Sequence, residues 1–353
     1  MNYRAEDLEQ FSKEIMERAG LSPEESTVFS DSLLKAEMRG VTSHGLTRLS
    51  SYARRVELGL VAANVEPEIL ADGGTVLRID GKNGMGAWVG TRVMEMCIRR
   101  AREKGSCFAA VCGGNHFGYA AYFAQQAALQ DMIGFAVANG PSAIPPTGGA
   151  KPLLGTNPVA ICIPAGRYRP LVLDMATSAV ARGKVALAKK NGVSIPEGWG
   201  VDSRGRPTTD PDAVLSGGAM LPMAGPKGYA ISLIVELLCS CLAGGQDGQT
   251  MGSFYDLTRT QNTGYCFAAL DVSRIIDPEV LKGRVDALFD SMKACPRADG
   301  TDEIMIPGEI EYNNYDRALA EGVSLSPAVE QELRAAAVHY GVDFPREIEP
   351  SPV

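Results

Sequence analysis

Val76-Leu77-Arg78-Ile79-Asp80-Gly81-Lys82-Asn83-Gly84-Met85-Gly86-Ala87-Trp88-Val89-Gly90 has nearly the layout of a dinucleotide-binding strand, turn and helix. The spacing departs from it at the end. A G-x-G-x-x-G turn puts its third glycine three residues after the second, whereas here Gly90 follows Gly86 by four. The next strand-like run, 108–111, leads into Cys112-Gly113-Gly114 without the acid that would hold a ribose. The stretch therefore reads as a glycine-rich strand-to-helix turn, and no Rossmann fold is indicated.

Downstream of it, short apolar runs at 75–79, 108–111, 133–138, 158–163 and 171–173 read as strands. Helical patterns at 89–103, 120–130 and 178–191 alternate with them, which makes this region α/β. Upstream there is another texture. Leu8, Phe11, Ile15 and Ala19 lie at helical spacing before Gly20, and Ser22-Pro23-Glu24-Glu25 is a capping box opening a second helix that ends at Arg39-Gly40. A third helix is expected at about 47–58, so the first seventy residues read as helical, without strands. Past the middle, 228–243 is apolar but shorter than the ~20 residues of a membrane span and carries Glu236; it reads as a buried helix. A strand at 265–270 and helices at 279–294 and 327–340, the last capped by Ser326, complete the pattern. The final helix is free to pack back on the first ones.

The chain has 353 residues and a net charge of -8, from 34 Lys plus Arg and 42 Asp plus Glu. Its length suits two or three domains. The densest basic group, Arg99, Arg100, Arg102 and Lys104, is too short and interrupted for a nucleic-acid surface. Three histidines, His44, His116 and His339, leave few ligands for a metal, and none is expected. Eight cysteines without a Cys-x-x-Cys pair, and an N-terminus without a signal-peptide pattern, lead to the expectation of a reduced, cytoplasmic protein that binds no membrane.

Ser43-His44-Gly45-x-x-Arg48 sets a hydroxyl, an imidazole and a guanidinium at a helix start. Arginine grips a carboxylate through two parallel hydrogen bonds, and histidine moves the proton that accompanies hydride transfer at a carbonyl. A capped helix with an exposed histidine fits the same residues. His116, in Gly113-Gly114-Asn115-His116-Phe117-Gly118, follows a strand end, where open α/β sheets collect ligands; it is catalytic or bonds a loop carbonyl. The turn-rich run from Asn139-Gly140-Pro141 to Thr156-Asn157-Pro158 is the kind of segment that surrounds a ligand. Asp174, ahead of Thr177 and Ser178, either binds a cofactor's hydroxyls, orients a histidine or caps a helix. Lys184 and Lys227 are phosphate ligands or surface charges. His339 has no evident role.

These motifs, together with Leu173-Asp174-Met175-Ala176-Thr177-Ser178, Ala181-Arg182-Gly183-Lys184, Pro207-Thr208-Thr209-Asp210-Pro211 and Lys227-Gly228-Tyr229, occur in the order seen in the malate/L-lactate dehydrogenase family, which the chain resembles from about residue 5 to 335. The resemblance implies a three-layer mixed-sheet α/β cofactor domain of the sulfolactate-dehydrogenase-like type, at 71–314. A helical domain would come from both chain ends, 1–70 with 315–353. It implies an NAD- or NADP-dependent oxidoreductase acting on a small carboxylate substrate, a 2-oxo acid or its (S)-2-hydroxy acid, in a homodimer or higher homo-oligomer. Relatives act on sulfolactate, ureidoglycolate or cyclic imino acids. Carried over, His116 is the acid/base and His44 a second catalytic-site histidine that orients or contacts the cofactor. Ser43, Arg48, Tyr52 and Asn157 bind substrate. Gly140, Thr156, Asp174, Met175, Ala176, Lys184, Lys227, Gly308 and Glu309 match cofactor positions. Leu221-Pro222-Met223-Ala224-Gly225-Pro226-Lys227 resembles the ureidoglycolate branch, while Pro145-Pro146-Thr147-Gly148 lacks the aromatic residue many members place there. An inactive relative serving as a binding protein is the alternative from another class; retention of both motif histidines with Arg48, Asp174 and Lys227 favours the enzyme.

Overall fold

The structure is a computed structural model describing residues 2–348. Its helices are α1 (Ala5–Ala19), α2 (Pro23–Met38), α3 (Leu49–Glu57), α4 (Gly86–Lys104), α5 (Ala121–Ala128), α6 (Arg182–Asn191), α7 (Pro211–Leu215), α8 (Pro226–Glu236), α9 (Pro278–Lys293), α10 (Glu309–Glu321) and α11 (Pro327–Tyr340). The strands are β1 (Asn2–Tyr3), β2 (Glu68–Asp72), β3 (Val76–Asp80), β4 (Ser106–Gly114), β5 (Met132–Ala138), β6 (Val159–Ile163), β7 (Leu171–Met175), β8 (Gly200–Val201), β9 (Pro207–Thr208), β10 (Ala219–Met220), β11 (Thr263–Asp271) and β12 (Val323–Ser324).

Seven strands form one sheet in the order β2-β3-β4-β11-β5-β6-β7. Only β3 and β4 pair in parallel; every other neighbour is antiparallel. β11 arrives late in the chain yet lies between β4 and β5. It is covered on both faces, which its run Tyr265-Cys266-Phe267-Ala268-Ala269-Leu270 suits. α4 and α5 lie on one face, and α8 with the π-helical turn Leu237–Leu242 on the other. This is the mixed three-layer α/β fold expected, and the parallel doubly wound sheet is excluded.

The registers bring many loops to one end of the sheet. Asp80 pairs with Cys112, Gly114 with Thr263, Tyr265 with Ala138, Val137 with Val159 and Val159 with Met175. The turns after β3, β4, β5 and β7, and the entries to β6 and β11, therefore share that edge.

A second apolar core joins both chain ends: Leu8, Phe11, Ile15, Phe29, Leu33 and Leu49 pack with Val323, Leu325, Leu333 and Ala336. The capping box is present, Ser22 Oγ accepting from Glu25 N–H at 3.2 Å while Glu25 Oε2 accepts from Ser22 N–H at 3.1 Å. Several expectations need correction. The first seventy residues do contain strand, because β1 pairs with β12 and β2 begins at Glu68. The 228–243 helix is covered on one side only: Glu236 and Cys239 are buried, while Ile234, Leu237 and Leu242 are about half exposed. α6 starts at Arg182, because Ser178 bridges to Pro222 instead of opening a helix. α10 has two asparagines and few aliphatics in its sequence, so its apolar period is faint. Residues 349–353 of the expected helical unit lie outside the described residues.

Candidate functional site

The site forms where the terminal core meets the loop-bearing end of the sheet. His116 follows β4, and His44 lies in the 3-10 turn Thr42–His44 between α2 and α3. Their rings stack at 5.4 Å with 13° between planes. His44 Nδ1 pairs with Ser43 Oγ at 2.9 Å. Tyr52, on α3, hydrogen-bonds His116 Nδ1 through its hydroxyl, and the Gly118 N–H lies 3.4 Å from the same nitrogen. Burial pushes His44 down to about 4, with Arg48 adding to it. His116 is held well below the ordinary histidine range by burial, then by His44, Arg48 and Arg55. Both rings are thus neutral at pH 7. When the Tyr52 hydroxyl accepts from Nδ1–H the neutral ring presents the Nε2 lone pair, and when it donates to Nδ1 the proton sits on Nε2.

Arg48 lies beside the pair. Its Nε donates to Ser43 C=O at 2.7 Å and its Nη1 to the Tyr255 hydroxyl; Nη2 has no protein partner among the described residues. Phe254 and Tyr255 lie 5.2 and 5.1 Å from the guanidinium, fixing its plane. Arg48 and Arg55 form no ion pair among the described residues, so the site is locally positive although the chain carries -8. Five residues named from sequence, Ser43, His44, Arg48, Tyr52 and His116, are therefore one cluster.

Four supporting groups were missed. Glu37 Oε2 accepts from Leu46 N–H at 2.8 Å and occupies the space a Gly45 Cβ would need, which explains the glycine after His44. Burial raises the Glu37 carboxyl to about 7. Arg55, fully buried, donates to the carbonyls of Phe254, Asp256 and Arg259 and so holds the Phe254-Tyr255 pair in place. An arginine on the apolar face of a helix, and two aromatics inside a polar stretch, were the available signals.

The glycines of 84–90 serve the same loop. Asn115 Nδ2 donates to the carbonyls of Asn83 and Gly84 at 2.8 and 3.0 Å. A Cβ on Gly86 would meet His116 O at 2.4 Å, and one on Gly90 would meet the Phe123 ring at 2.5 Å. Close packing, rather than a phosphate, requires these glycines. Gly86→Ala should lower stability by about 1–3 kcal/mol and reduce turnover by displacing His116, leaving cofactor affinity unchanged. Thermal melts, turnover and cofactor titration check this; weakened cofactor binding with an unaltered Tm would point instead to a phosphate role.

A second group lines the sheet end. Gly140, Thr156, Asn157, Met175 and Ala176 follow or precede β5, β6 and β7 there. A Cβ on Gly140 would meet nothing within 4 Å, so its face is open. Asp174 Oδ2 accepts from Ala121 N–H at 3.0 Å, capping the neighbouring helix α5; its Oδ1 has no partner among the described residues. Desolvation holds its carboxyl above the ordinary range, although solvent reaches it. Asn157 differs from expectation: it is fully buried, accepting from Gly140 N–H and donating to Ser232 C=O and Glu236 Oε2. It shapes the Gly140 turn, and with both Nδ2 hydrogens used it has only the second lone pair of Oδ1 left to offer. Lys184 and Lys227 are exposed, with no partner among the described residues, and the chain before Lys227 is tied to the row by Met223 N–H on Thr177 C=O at 2.9 Å. Gly308 and Glu309 are not brought to this row. Pro307 C=O accepts from Val172 N–H, three residues or ~10 Å before the end of β7, and Glu309 is engaged by Ile306 N–H and Lys293. His339 makes a surface contact to Glu57.

Among the described residues no group of three or more His, Cys, Asp or Glu could hold a metal, and no helix is long and apolar enough to cross a membrane. The family model for malate/L-lactate dehydrogenase matches residues 3–334. The L-sulfolactate dehydrogenase of Methanothermobacter thermautotrophicus is 37% identical, covering 92% of this chain and 93% of its own. A (2R)-3-sulfolactate dehydrogenase (NADP(+)) of Chromohalobacter salexigens is also 37% identical (92% and 94%), and a ureidoglycolate dehydrogenase (NAD(+)) of Escherichia coli O157:H7 is 31% identical (96% and 97%). The solved sulfolactate dehydrogenase from Methanocaldococcus jannaschii superposes with a TM-score of 0.91 at 34% identity, over 97% of this chain and 98% of that one. With this fold and these relatives, the protein is a dehydrogenase of CH–OH donors. It belongs to the malate/L-lactate dehydrogenase family.

Proposed function

We propose that this dehydrogenase interconverts a small 2-oxo acid and its (S)-2-hydroxy acid, with Arg48 gripping the carboxylate and His116 exchanging the proton. The observation that carries this is the unpaired Nη2 of Arg48 beside a neutral, tyrosine-held imidazole. The open Gly140 face, the free Asp174 oxygen and the unpaired Lys184 and Lys227 fit NAD or NADP, which supplies or accepts the hydride when bound. The Tyr52 hydroxyl donates to Nδ1 or accepts from it, so His116 changes protonation without leaving a buried nitrogen unsatisfied. Whole-chain identity supports a malate- or sulfolactate-type substrate over ureidoglycolate. Following reduced-nicotinamide absorbance with pyruvate, oxaloacetate, sulfopyruvate and, oxidatively, ureidoglycolate tests this. No turnover, and no thermal shift with either cofactor, would refute it in favour of the binding-protein alternative.

The pH dependence has a definite sign. Oxidation requires His116 unprotonated, and its surroundings push it below the ordinary ~6.5. kcat/KM for the hydroxy acid should therefore stay level as pH falls from about 8 to about 6.5 and decline only below that, while reduction gains as the acid form appears. A decline already complete at about pH 7 would contradict the assignment. The same reading includes a 1–70 with 315–353 helical domain around the shared terminal core, a homo-oligomer covering the exposed Ile234, Leu237 and Leu242, and a cytoplasmic setting for eight free cysteines.

A further inference from the structure

The irregular stretch after Met251 supplies a wall to the site, and its outer residue has an unused donor. Arg55 fixes this stretch from beneath through three carbonyls. Phe254 turns inward, 4.7 Å from the Tyr52 ring and 5.1 Å from the His116 ring. Tyr255 turns outward and is 65% exposed, with its hydroxyl on Arg48 Nη1. A guanidinium has no acceptor, so in that bond the phenol oxygen must accept. Its own hydrogen stays available, and no protein acceptor bonds it among the described residues. It lies beside Arg48 Nη2, which is also free. A neutral donor and a cationic donor thus stand side by side where no carboxylate is paired to either arginine.

We propose that Tyr255 is a substrate-binding residue whose hydroxyl donates to the carboxylate gripped by Arg48, adding a donor to the guanidinium's pair. The assignment rests on the 2-oxo acid reading above. It makes the carboxylate end of the substrate, and not the group at C3, the part that Tyr255 recognises. Accepting from Arg48 polarises the phenol and strengthens its donation.

Tyr255→Phe tests this, because it keeps the exposed ring against the guanidinium and removes only the O–H. KM should rise about tenfold for pyruvate, oxaloacetate and sulfopyruvate alike, the loss of one hydrogen bond to a charged group, with kcat kept within about twofold. KM for the uncharged methyl ester of pyruvate should not change. An unchanged KM for the acids would overturn the proposal. So would a fall in kcat at constant KM, which would mean that Tyr255 only holds Phe254 against His116. Wild-type protein that turns over none of these acids would refute the substrate reading itself, a result distinct from a silent Tyr255→Phe.

Discussion

His116→Ala is expected to lower kcat by roughly 10²–10⁴-fold while NAD(P)H still binds, because a positioned acid/base supplies about that factor. The residue has the features the role demands. It leaves a strand end at the loop-bearing edge of the sheet, its ring is held by Tyr52 at Nδ1 and walled by Phe254, and its Nε2 is the nitrogen left for substrate. His44→Ala should cost less. That imidazole is pushed down to about 4 and pairs with Ser43, and it meets His116 through ring stacking. Turnover and cofactor titration of the two variants separate the roles. Wild-type kcat in His116→Ala, or a larger loss in His44→Ala, would transfer the proton to His44.

The local signals were legible because they act within a few residues. Ser22 and Glu25 announce α2, Ser326 announces α11, and strand ends carrying glycine and histidine announce the turns. The Ser43–Arg48 and Asn115–Gly118 motifs pointed to chemistry, but only the register of β4 against β11 and the packing of α3 bring His44 and His116 into contact. That β11 inserts between β4 and β5 was not readable, since an apolar run does not state its neighbours. Arg55 and Glu37 were not singled out from sequence, because the role of each is defined by atoms distant in sequence or supplied by a loop. Asn157 was assigned to substrate by resemblance, whereas its three hydrogen bonds go to protein. The glycines of 84–90 were read as no sign of a Rossmann fold, and the sheet is indeed mixed. Their reasons, the backbone of the His116 loop at Gly86 and the Phe123 ring at Gly90, lie in parts of the chain distant in sequence.

Arg48→Ala should raise KM for every 2-oxo acid by roughly 30-fold, on the order of 2 kcal/mol, the worth of a bidentate charge-assisted pair. Arg48→Lys should recover little of it. The Nε bond to Ser43 C=O and the contacts with the Phe254 and Tyr255 rings suit a guanidinium, and an ammonium keeps only the charge. The two variants then diverge in a second observable. Arg48 is among the causes that depress both histidines, so its loss lets their pKa values move up toward ~6.5. The acid limb of the oxidative kcat/KM profile should accordingly shift to higher pH in Arg48→Ala and much less in Arg48→Lys, which retains the positive charge. KM measured across pH for both variants separates grip from field. If KM stays at its wild-type value in Arg48→Ala, the carboxylate is held elsewhere; if KM rises without the shift, Arg48 binds substrate but does not set the protonation of His116.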